Sequence, residues 1–345
     1  MLTTVIIGSV TDTSSLVGNF LLKKIELGHS DLEVGVVGLG CMGMSTAYGS
    51  PNDKESIATI QEALDNGCNL IDSSDAYGNG HNEELLGKAF KEGYREKAVL
   101  ISKFGNLGER GVLGTPKYVM EACEKSLARL QTDVIDLYFV HRIDPNVPIE
   151  DTIGAMVVLK EQGKIRYIGL SEAAMGTLRR AHAIHPITAL QTEYSLWTRD
   201  AESEFLPTAR ELGISYIAYA PLGRGYLTSK FITPKDLPEG DRRHDHPRFN
   251  DENMALNKKL LGTLNEIALA KNRTAAQIAI AWTLHQGGDI IPIPGTKKRN
   301  WLRENIAAAD IDLNAEECAV LEIVFAPGIT AGQRYPDKQF AALNK

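Results

Sequence analysis

The stretch DLYFVHR, Asp136–Arg142, decides the fold, because an apolar run without alternation ends there in an ionisable side chain, His141. Runs of this kind are typical of strands that are buried on both faces. Two similar runs, CNLI and AVLIS, lead directly into Asp72 and Lys103, and Tyr77 follows shortly after the first of them. In a closed barrel of parallel strands the carboxyl ends meet at one mouth, where catalytic groups lie. The sequence therefore predicts an acid, a phenol, an amine and an imidazole at one mouth, a set able to protonate or polarise a carbonyl oxygen.

Strand-like apolar runs alternate with stretches of helical periodicity along the chain after about residue 22. Such alternation is typical of a parallel sheet, because each crossover helix has to cover a face of the sheet. Eight strand-then-helix units predict an α/β fold, a (β/α)8 TIM barrel. The predicted strands are Val34–Gly40, Asn69–Ser73, Ala98–Ser102, Val134–Val140, Ile165–Leu170, Ala189–Tyr194, Ile214–Ala220 and Ile290–Ile293.

Several segments fall outside the regular units. A hairpin of Lys23–Leu27 and Leu32–Val34 is expected ahead of the barrel, at its floor. Thr228–Asn257 is rich in Pro, Asp and Arg without a clear period, which favours a functional loop such as a lid. Residues 1–21 are expected to be an extension of unknown role, and residues 22–345 a single barrel domain. Further helices are predicted after this loop, at Lys258–Lys271 and Ala275–Gln286, and after the eighth unit, at Ala315–Phe325.

Composition and charge narrow the class of protein. The chain has 345 residues, of which 43% are hydrophobic, enough to build a large core. Its net charge of -7 disfavours nucleic acid or an anionic membrane as the partner, and its apolar stretches are too short to span a bilayer. The four cysteines lie far apart without CxxC spacing. They indicate reduced thiols in a cytoplasmic protein, with neither disulfides nor a metal site.

The segment GLGCMG, Gly38–Gly43, matches the GxGxxG fingerprint of dinucleotide-binding folds, but its context differs. That fingerprint requires glycines that open directly into a helix whose N-terminus holds a pyrophosphate. Here Gly49 and Pro51 interrupt the chain, and helical periodicity begins only near Asp53. We therefore interpret the glycines as the turn by which the chain leaves the first strand, where they also leave room for a flat ligand.

Each ionisable residue at the predicted mouth has a structural explanation when it is taken alone. Asp72 could cap a helix, and Tyr77 could be a core aromatic. Lys103 could be a solvated charge, and His141 a core histidine with its hydrogen bonds satisfied. Their joint placement argues against this, because an ionisable group is costly to bury without a partner. Asp72 is the natural partner of Lys103, since the two strands are expected to be neighbours.

Seven motifs occur in order over nearly the whole chain after about residue 22: IDSSDAYG, LISKFG, DLYFVHR, YIGLSE, LQTEYSLW, YAPLGRG and IPIPGT…ENI. Together they resemble the aldo-keto reductase family, and the relatives with GLSE and a RYP tail look most similar. The resemblance implies a (β/α)8 barrel with extra helices, NADPH as the cofactor and the reversible reduction of aldehydes or ketones by hydride transfer. Two alternatives stay open: an NADPH-binding regulatory or partner-binding barrel with little turnover, and a phosphate-binding barrel enzyme such as an isomerase.

The resemblance also implies a role for each residue at the mouth. Tyr77 resembles the general acid that protonates the carbonyl oxygen while NADPH gives a hydride to its carbon. A phenol has a pKa of about 10, so Lys103 is expected to lower the pKa of Tyr77, and Asp72 is expected to hold the ammonium in place. His141 is expected to position the substrate oxygen through a hydrogen bond.

Cofactor contacts follow from the same resemblance. Ser171 and Gln191 match positions that bind the nicotinamide carboxamide, and Tyr219 matches the ring that stacks on the nicotinamide. Thr296 and Lys297 are expected at the 2′-phosphate, which favours NADPH over NADH. The remaining expected contacts are Gly40 and Met42 at the first loop, Pro221, Leu222, Gly223, Arg224 and Gly225 at the pyrophosphate, and Gly295, Glu304 and Asn305 towards the adenosine.

Two positions depart from the family pattern. Glu172 stands where many relatives have Asn, which puts an amide contact to the carboxamide in doubt, and Trp301 stands where some have Arg.

The sequence constrains the identity of the substrate less than that of the cofactor. The residues expected to line an apolar mouth for aldehydes, ketones or quinones are Trp197, Tyr48, Met42 and the loop Asn106–Gly114, although Trp197 could equally pack beneath a helix.

Overall fold

The structure, a computed structural model, describes residues 22–341 and 343 and contains a barrel of eight parallel strands. The strands follow one another around the barrel in chain order, and a bridge between Gly40 and Gly295 brings the last strand against the first. The predicted (β/α)8 barrel is confirmed. Two short strands, β1 (Lys24–Glu26) and β2 (Glu33–Gly35), precede it. The barrel strands are β3 (Leu39–Gly40), β4 (Leu70–Asp72), β5 (Val99–Phe104), β6 (Ile135–Val140), β7 (Ile165–Ser171), β8 (Ala189–Glu193), β9 (Ser215–Tyr219) and β10 (Ile290–Ile293).

Helices cover the outside of the barrel. They are α1 (Asp53–Asp65), α2 (His81–Ala89), α3 (Pro116–Leu130), α4 (Ile149–Glu161), α5 (Met175–Ile184), α6 (Phe205–Glu211), α7 (Asp251–Asn257), α8 (Leu261–Ala270), α9 (Ala275–His285), α10 (Arg299–Ile306), α11 (Ala315–Val324) and α12 (Asp337–Ala341). At the start of α3, the Thr115 side chain accepts the backbone N–H of Tyr118, and Pro116 occupies the first turn. The buried residues of α3 recur at helical spacing, so one face packs on the strands. The extra helices are α7 and α8, inserted before α9, and α11 and α12, which follow α10.

The N-terminal hairpin closes the floor of the barrel, as predicted. β1 pairs with β2 in antiparallel register, with Ile25 opposite Val34. Leu27, Leu32 and Val34 are buried in one apolar cluster with side chains of the barrel interior. Those interior side chains are Leu70, Val99, Ile101, Leu137, Phe139, Ala189, Ile217, Ile291 and Ile293. This apolar burial seals the end of the barrel opposite the mouth.

Two glycines let β3 close the barrel against β10. A Cβ at Gly38 would lie 2.9 Å from Ile293 Cγ2, and a Cβ at Gly40 would lie 2.9 Å from Ile293 O. Neither distance is tolerated by a real side chain. After β3 the chain makes a short 3-10 turn, Met42–Met44, and a regular helix begins only with α1. The GLGCMG segment therefore serves strand packing and does not open a helix, in agreement with our interpretation.

The insertion Thr228–Asn257 has more local structure than its sequence predicts. It contains α7 and three short 3-10 turns, at Pro234–Asp236, Arg242–Asp245 and Pro247–Phe249. Prolines begin two of these turns, which suits their fixed φ. The predicted extension, residues 1–21, lies outside the described residues. Across residues 22–341, the helices are all too short or too polar to cross a membrane.

Candidate active site

Three of the four predicted catalytic side chains form one hydrogen-bonded group at the mouth. The Nζ of Lys103, in β5, lies 2.7 Å from Asp72 Oδ1, 2.8 Å from Ser73 O and 3.3 Å from the Tyr77 hydroxyl. Asp72 ends β4, and β4 pairs with β5, so the two strands present these side chains next to each other. Asp72 is 3% exposed and Lys103 is fully buried. The ammonium is thus held by a carboxylate and a carbonyl while it contacts the phenol.

Gln191 completes the surroundings of Asp72 from the opposite side of the barrel. Its Nε2 donates to Asp72 Oδ2 at 2.7 Å, so the carboxylate receives hydrogen bonds on both oxygens. Burial lowers the pKa of Lys103, and the charge and hydrogen bond of Asp72 oppose that effect. Gln191 therefore lies at the mouth, as the predicted cofactor contact requires, with its amide donor directed at Asp72.

The expectation that the pKa of Tyr77 is lowered is wrong, because the net shift is upwards. Burial raises the pKa of Tyr77 well above its ordinary value of 10.0, and the Asp72 carboxylate raises it further. The charge of Arg142 acts in the opposite sense but is outweighed. The physical reason is that removing a phenolate from water costs more than the neighbouring cations return. Tyr77 therefore keeps its proton at neutral pH, which a proton donor must do.

His141 directly follows β6 and stands edge-on to Tyr77, with 5.8 Å between the ring centroids and an interplanar angle of 89°. Its Nδ1 lies 3.0 Å from the Ser74 hydroxyl oxygen. Burial, followed by the charges of Arg142 and Lys103, lowers the pKa of His141 well below 6.5, so the imidazole is neutral. In the tautomer whose Nδ1 accepts the Ser74 proton, Nε2 carries the ring proton and can donate it in a hydrogen bond to a substrate oxygen.

A cleft of about 1650 Å³ opens at the carboxyl ends of the strands. Most small-molecule sites have roughly 300–1,000 Å³, so this cleft has room for a dinucleotide together with a substrate. Of the predicted site residues, only Lys103, which lies beneath Tyr77, and Gly223 do not line it. Those that line it are Gly40, Met42, Asp72, Tyr77, His141, Ser171, Gln191, Tyr219, Pro221, Leu222, Arg224, Gly225, Gly295, Thr296, Lys297, Glu304 and Asn305. Their individual roles stay predictions.

The expectation that Trp197 lines the mouth is wrong, because its side chain is buried in the core. The residue is 2% exposed, and its ring stacks on Tyr226 with 4.2 Å between centroids. Gly223, at φ +54°, lies against the same ring, where a Cβ would be 2.7 Å from Trp197 Cε3. Trp197 therefore supports the loop after β9 from below. Tyr48 and residues 106–112 do line the cleft.

Glu172 makes an ion pair with the C-terminal tail. Arg334 Nη1 donates to Glu172 Oε1 at 2.7 Å, and Nη2 donates to Oε2 at 2.6 Å. The Tyr219 hydroxyl also donates to Oε1, at 2.7 Å. Burial alone would raise the pKa of Glu172, but the hydrogen bonds and charge of Arg334 lower it. Both carboxylate oxygens of Glu172 accept hydrogen bonds from these partners. The ion pair with Arg334 therefore holds the tail after α11 across the mouth.

Tyr335, next to Arg334, forms part of the cleft wall, and the sequence reasoning missed both residues. The Tyr335 hydroxyl oxygen lies 2.9 Å from that of Tyr219, and the guanidinium of Arg224 lies 4.8 Å from the Tyr335 ring centroid. Burial would raise the pKa of Tyr335, but Arg224 and Arg142 lower it. The available signal was the RYP motif in an otherwise polar tail. That motif served only as a family likeness, because the position of the tail was unknown.

At the far end of the cleft, Lys297 connects two loops. Its Nζ donates to the backbone carbonyls of Tyr48, at 2.5 Å, and Ser50, at 2.8 Å. An ammonium has three N–H donors, so one stays available for a ligand. Trp301 lines the same end, with Lys230 Nζ 3.2 Å from its ring centroid. The loop after β10 and the start of α10 thus form one wall of the cleft, and their contact with the adenosine stays a prediction.

The described residues that line the cleft carry a positive charge balance. They include eleven Lys and Arg side chains against six Asp and Glu side chains. The whole chain, in contrast, has a net charge of -7. A concave site with a positive charge balance attracts anionic ligands, even when the net charge of the whole protein is negative. This distribution suits a dinucleotide with several phosphate groups.

Known proteins resemble this chain along most of its length. The model of the aldo/keto reductase family matches residues 36–325. A protein named probable aldo-keto reductase 1, from Glycine max, is 43% identical over 320 residues, which cover 91% of this chain and 92% of the relative.

Two solved structures agree with the sequence relatives. The glycerol dehydrogenase of Gluconobacter oxydans superimposes with a TM-score of 0.81 at 27% identity, over 90% of this chain and 97% of that chain. An aldo/keto reductase of Klebsiella pneumoniae, in complex with NADP and acetate, has a TM-score of 0.71 at 26% identity, over 92% of this chain and 99% of that chain. Fold and sequence therefore point to the same family.

Proposed function

The chain belongs to the aldo-keto reductase family and is an NADP-dependent oxidoreductase, and we propose that it reduces an aldehyde or ketone to the alcohol with Tyr77 as the proton donor. The observation that carries this proposal is the buried group of Asp72, Lys103 and Tyr77 with His141 beside it. These side chains come from different strands and meet at the base of a cleft that also admits a large anionic ligand. Such a group fits proton transfer to a carbonyl oxygen better than a purely structural role.

NADPH, when bound, supplies the hydride. Tyr77 donates its proton to the carbonyl oxygen as negative charge develops there. Lys103 Nζ, 3.3 Å from the hydroxyl, stabilises the phenolate that is left, and Asp72 favours the charged form of the ammonium. His141 is neutral, so it orients the substrate oxygen by a hydrogen bond and leaves the proton transfer to Tyr77.

The cleft residues fit a bound NADPH in three sections. We place the nicotinamide end beside Ser171 and Tyr219, next to the four catalytic side chains at the mouth. Pro221–Gly225 would hold the pyrophosphate, since Arg224 and Gly225 both adopt positive φ, a backbone form that builds anion-binding turns. The loop after β10 and the start of α10 would hold the adenosine end, a position that binds phosphate in many barrels. The insertion Thr228–Asn257 contributes side chains to the same cleft, and its closure over the cofactor stays a prediction.

Two measurements test the proposal. Protein titrated with NADPH should quench or shift the cofactor fluorescence, and the same protein should consume NADPH when aldehydes and ketones are added. Absence of NADPH binding would favour a phosphate-binding enzyme of another class. Binding without turnover on a broad panel of aldehydes, ketones, sugars and quinones would favour a regulatory or partner-binding barrel.

Lys297 tests the choice between NADPH and NADH. Lys297→Met should raise the Kd for NADPH by a factor of about 10 to 100, because a charge-assisted hydrogen bond to the 2′-phosphate is lost. The Kd for NADH should change much less. Fluorescence titration of both cofactors gives the ratio, with Lys271→Met, on the outside of the barrel, as the control. An equal loss for both cofactors would contradict the assignment and leave Lys297 as a link between the Tyr48 and β10 loops.

Three further assignments complete the proposal. The substrate is a small carbonyl compound, and neither nucleic acid nor a membrane is required for activity. The cytoplasmic location rests on the cysteine pattern and the absence of CxxC spacing. Residues 22–345 act as one catalytic domain, since the tail that ends the chain is bound to the mouth through Arg334.

A further inference from the structure

Arg142 is a cleft residue whose charge is not used by the proposed reaction. It follows His141, and its Nη1 donates to the backbone oxygen of His141 at 2.7 Å and to Ser171 Oγ at 3.3 Å. Both acceptors are neutral. Throughout residues 22–341, no carboxylate oxygen lies within 4.0 Å of its guanidinium nitrogens. Arg142 is therefore held at the mouth without a directly bound carboxylate from the described residues, and the Glu172 carboxylate, whose charge acts on it, is already paired with Arg334.

Three other arginines at the mouth that are shielded from solvent are paired with carboxylates, whereas the exposed Arg110 and Arg242 are not paired with any described carboxylate. Arg224 pairs with Glu193 at 3.0 Å, Arg243 pairs with Asp241 at 2.8 Å, and Arg334 pairs with Glu172. Each of these carboxylates is buried. Arg142 differs from these three arginines in having no described carboxylate in direct contact, so an anionic group of a ligand in the cleft can bind it without displacing an existing ion pair.

The position of Arg142 places that charge next to the reacting groups. Its field reaches Tyr77, His141 and Tyr335, since it lowers the pKa of all three side chains. A guanidinium has five N–H donors, and the two described hydrogen bonds use Nη1 alone. Its Nε and Nη2 donors make no hydrogen bond to the described residues. A planar pair of donors of this kind matches the two oxygens of a carboxylate or phosphate.

We propose that Arg142 is the anchor of an anion subsite for the substrate, so that the preferred carbonyl compounds carry a carboxylate or a phosphate group close to the carbonyl carbon. This inference rests on the proposed function. It deepens that function by naming the substrate class, because an anionic carbonyl compound can bind the remaining donors of Arg142 and a neutral aldehyde cannot form that ion pair. Recognition of this kind lowers KM, since the charge is bound equally in the ground state and the transition state.

Matched substrates separate the charge from the rest of the molecule. We would compare 4-carboxybenzaldehyde with its methyl ester, methyl 4-formylbenzoate, and D-glyceraldehyde 3-phosphate with D-glyceraldehyde. In at least one pair, kcat/KM for the anionic member should exceed that of the neutral member by about tenfold or more. The pair that shows the effect distinguishes a carboxylate subsite from a phosphate subsite. Equal kcat/KM in both pairs would overturn the inference, while turnover of no carbonyl compound would overturn the proposed function itself.

Variants assign the preference to one residue. In Arg142→Met the anionic-to-neutral ratio should fall towards one, mainly through KM for the anionic member. Arg142→Lys keeps the charge and should keep part of the ratio. Arg273→Met, far from the cleft, should leave the ratio unchanged. NADPH binding, followed by fluorescence, checks that the variants fold. A ratio that survives in Arg142→Met, disappears equally in Arg142→Lys, or gives way to a loss of NADPH affinity alone would each overturn the subsite.

Discussion

Tyr77→Phe should lower the rate of carbonyl reduction by a factor of about 10² or more while NADPH binding and folding persist, because general acid catalysis is lost. The substitution removes one oxygen and keeps the ring that packs edge-on against His141. Lys103 loses a contact at 3.3 Å but keeps Asp72 and the Ser73 carbonyl as partners. Its buried charge therefore stays compensated, and the variant should report on chemistry and not on stability.

The matched control for this experiment is Tyr167→Phe. Tyr167 also donates its hydroxyl proton in a hydrogen bond, to Asp31 at 2.9 Å, but it packs on the floor cluster at the opposite end of the barrel. The same oxygen is deleted, so kcat should stay near that of the parent protein. Single-turnover reduction with saturating NADPH separates the chemical step from cofactor release. Turnover of Tyr77→Phe close to that of Tyr167→Phe would remove Tyr77 from the role of proton donor.

The parts of the site that the sequence predicted share a physical origin. Asp72, Lys103 and His141 each end or follow a short apolar run, and parallel strands in a barrel bring such positions to one mouth whatever the helices between them do. Their proximity thus follows from two features: the apolar run that precedes each residue, and the barrel topology that brings the strand ends together. Trp197 has no such constraint. It lies in the loop after β8, and the sequence pattern does not specify the course of that loop. Its inward packing depends on contacts with Tyr226 and Gly223, which lie further along the chain.

The electrostatics of the site were less predictable than its geometry. Lys103 lies beside Tyr77 as expected, yet the pKa of Tyr77 is raised, because burial exceeds the effect of the nearby cations. Burial depends on everything that packs around a group, and a motif does not report it. Glu172 shows the same limit at long range. Its partner, Arg334, lies 162 residues further along the chain, beyond the reach of any spacing argument.

The Glu172–Arg334 pair should contribute strongly to stability, because it is buried, although no sequence motif predicts it. Glu172→Gln keeps the size of the side chain and removes its charge, which leaves a buried guanidinium without its main counterion. Breaking a buried pair in this way costs about 3–5 kcal/mol of unfolding free energy. The pair is 9% and 2% exposed at its two side chains, so screening by water is slight. Activity should also fall, because Tyr335 is held next to Arg334 and contacts Tyr219.

The surface pair of Glu150 and Arg180 provides a matched control, since it is also bidentate, through Nε and Nη2 at 2.7 and 2.6 Å, but lies in an exposed setting. Glu150→Gln should shift the urea midpoint little, because water and salt screen an exposed pair. The pH dependence gives a second check. The pKa of Glu172 is lowered from its ordinary 4.5, so its contribution is present above that pH and is lost as the pH falls through the folded-state pKa. The difference between the parent and Glu172→Gln should accordingly shrink on acidification. Midpoints that shift equally for the two variants, or a difference that grows in acid, would show that burial does not make the Glu172–Arg334 pair special.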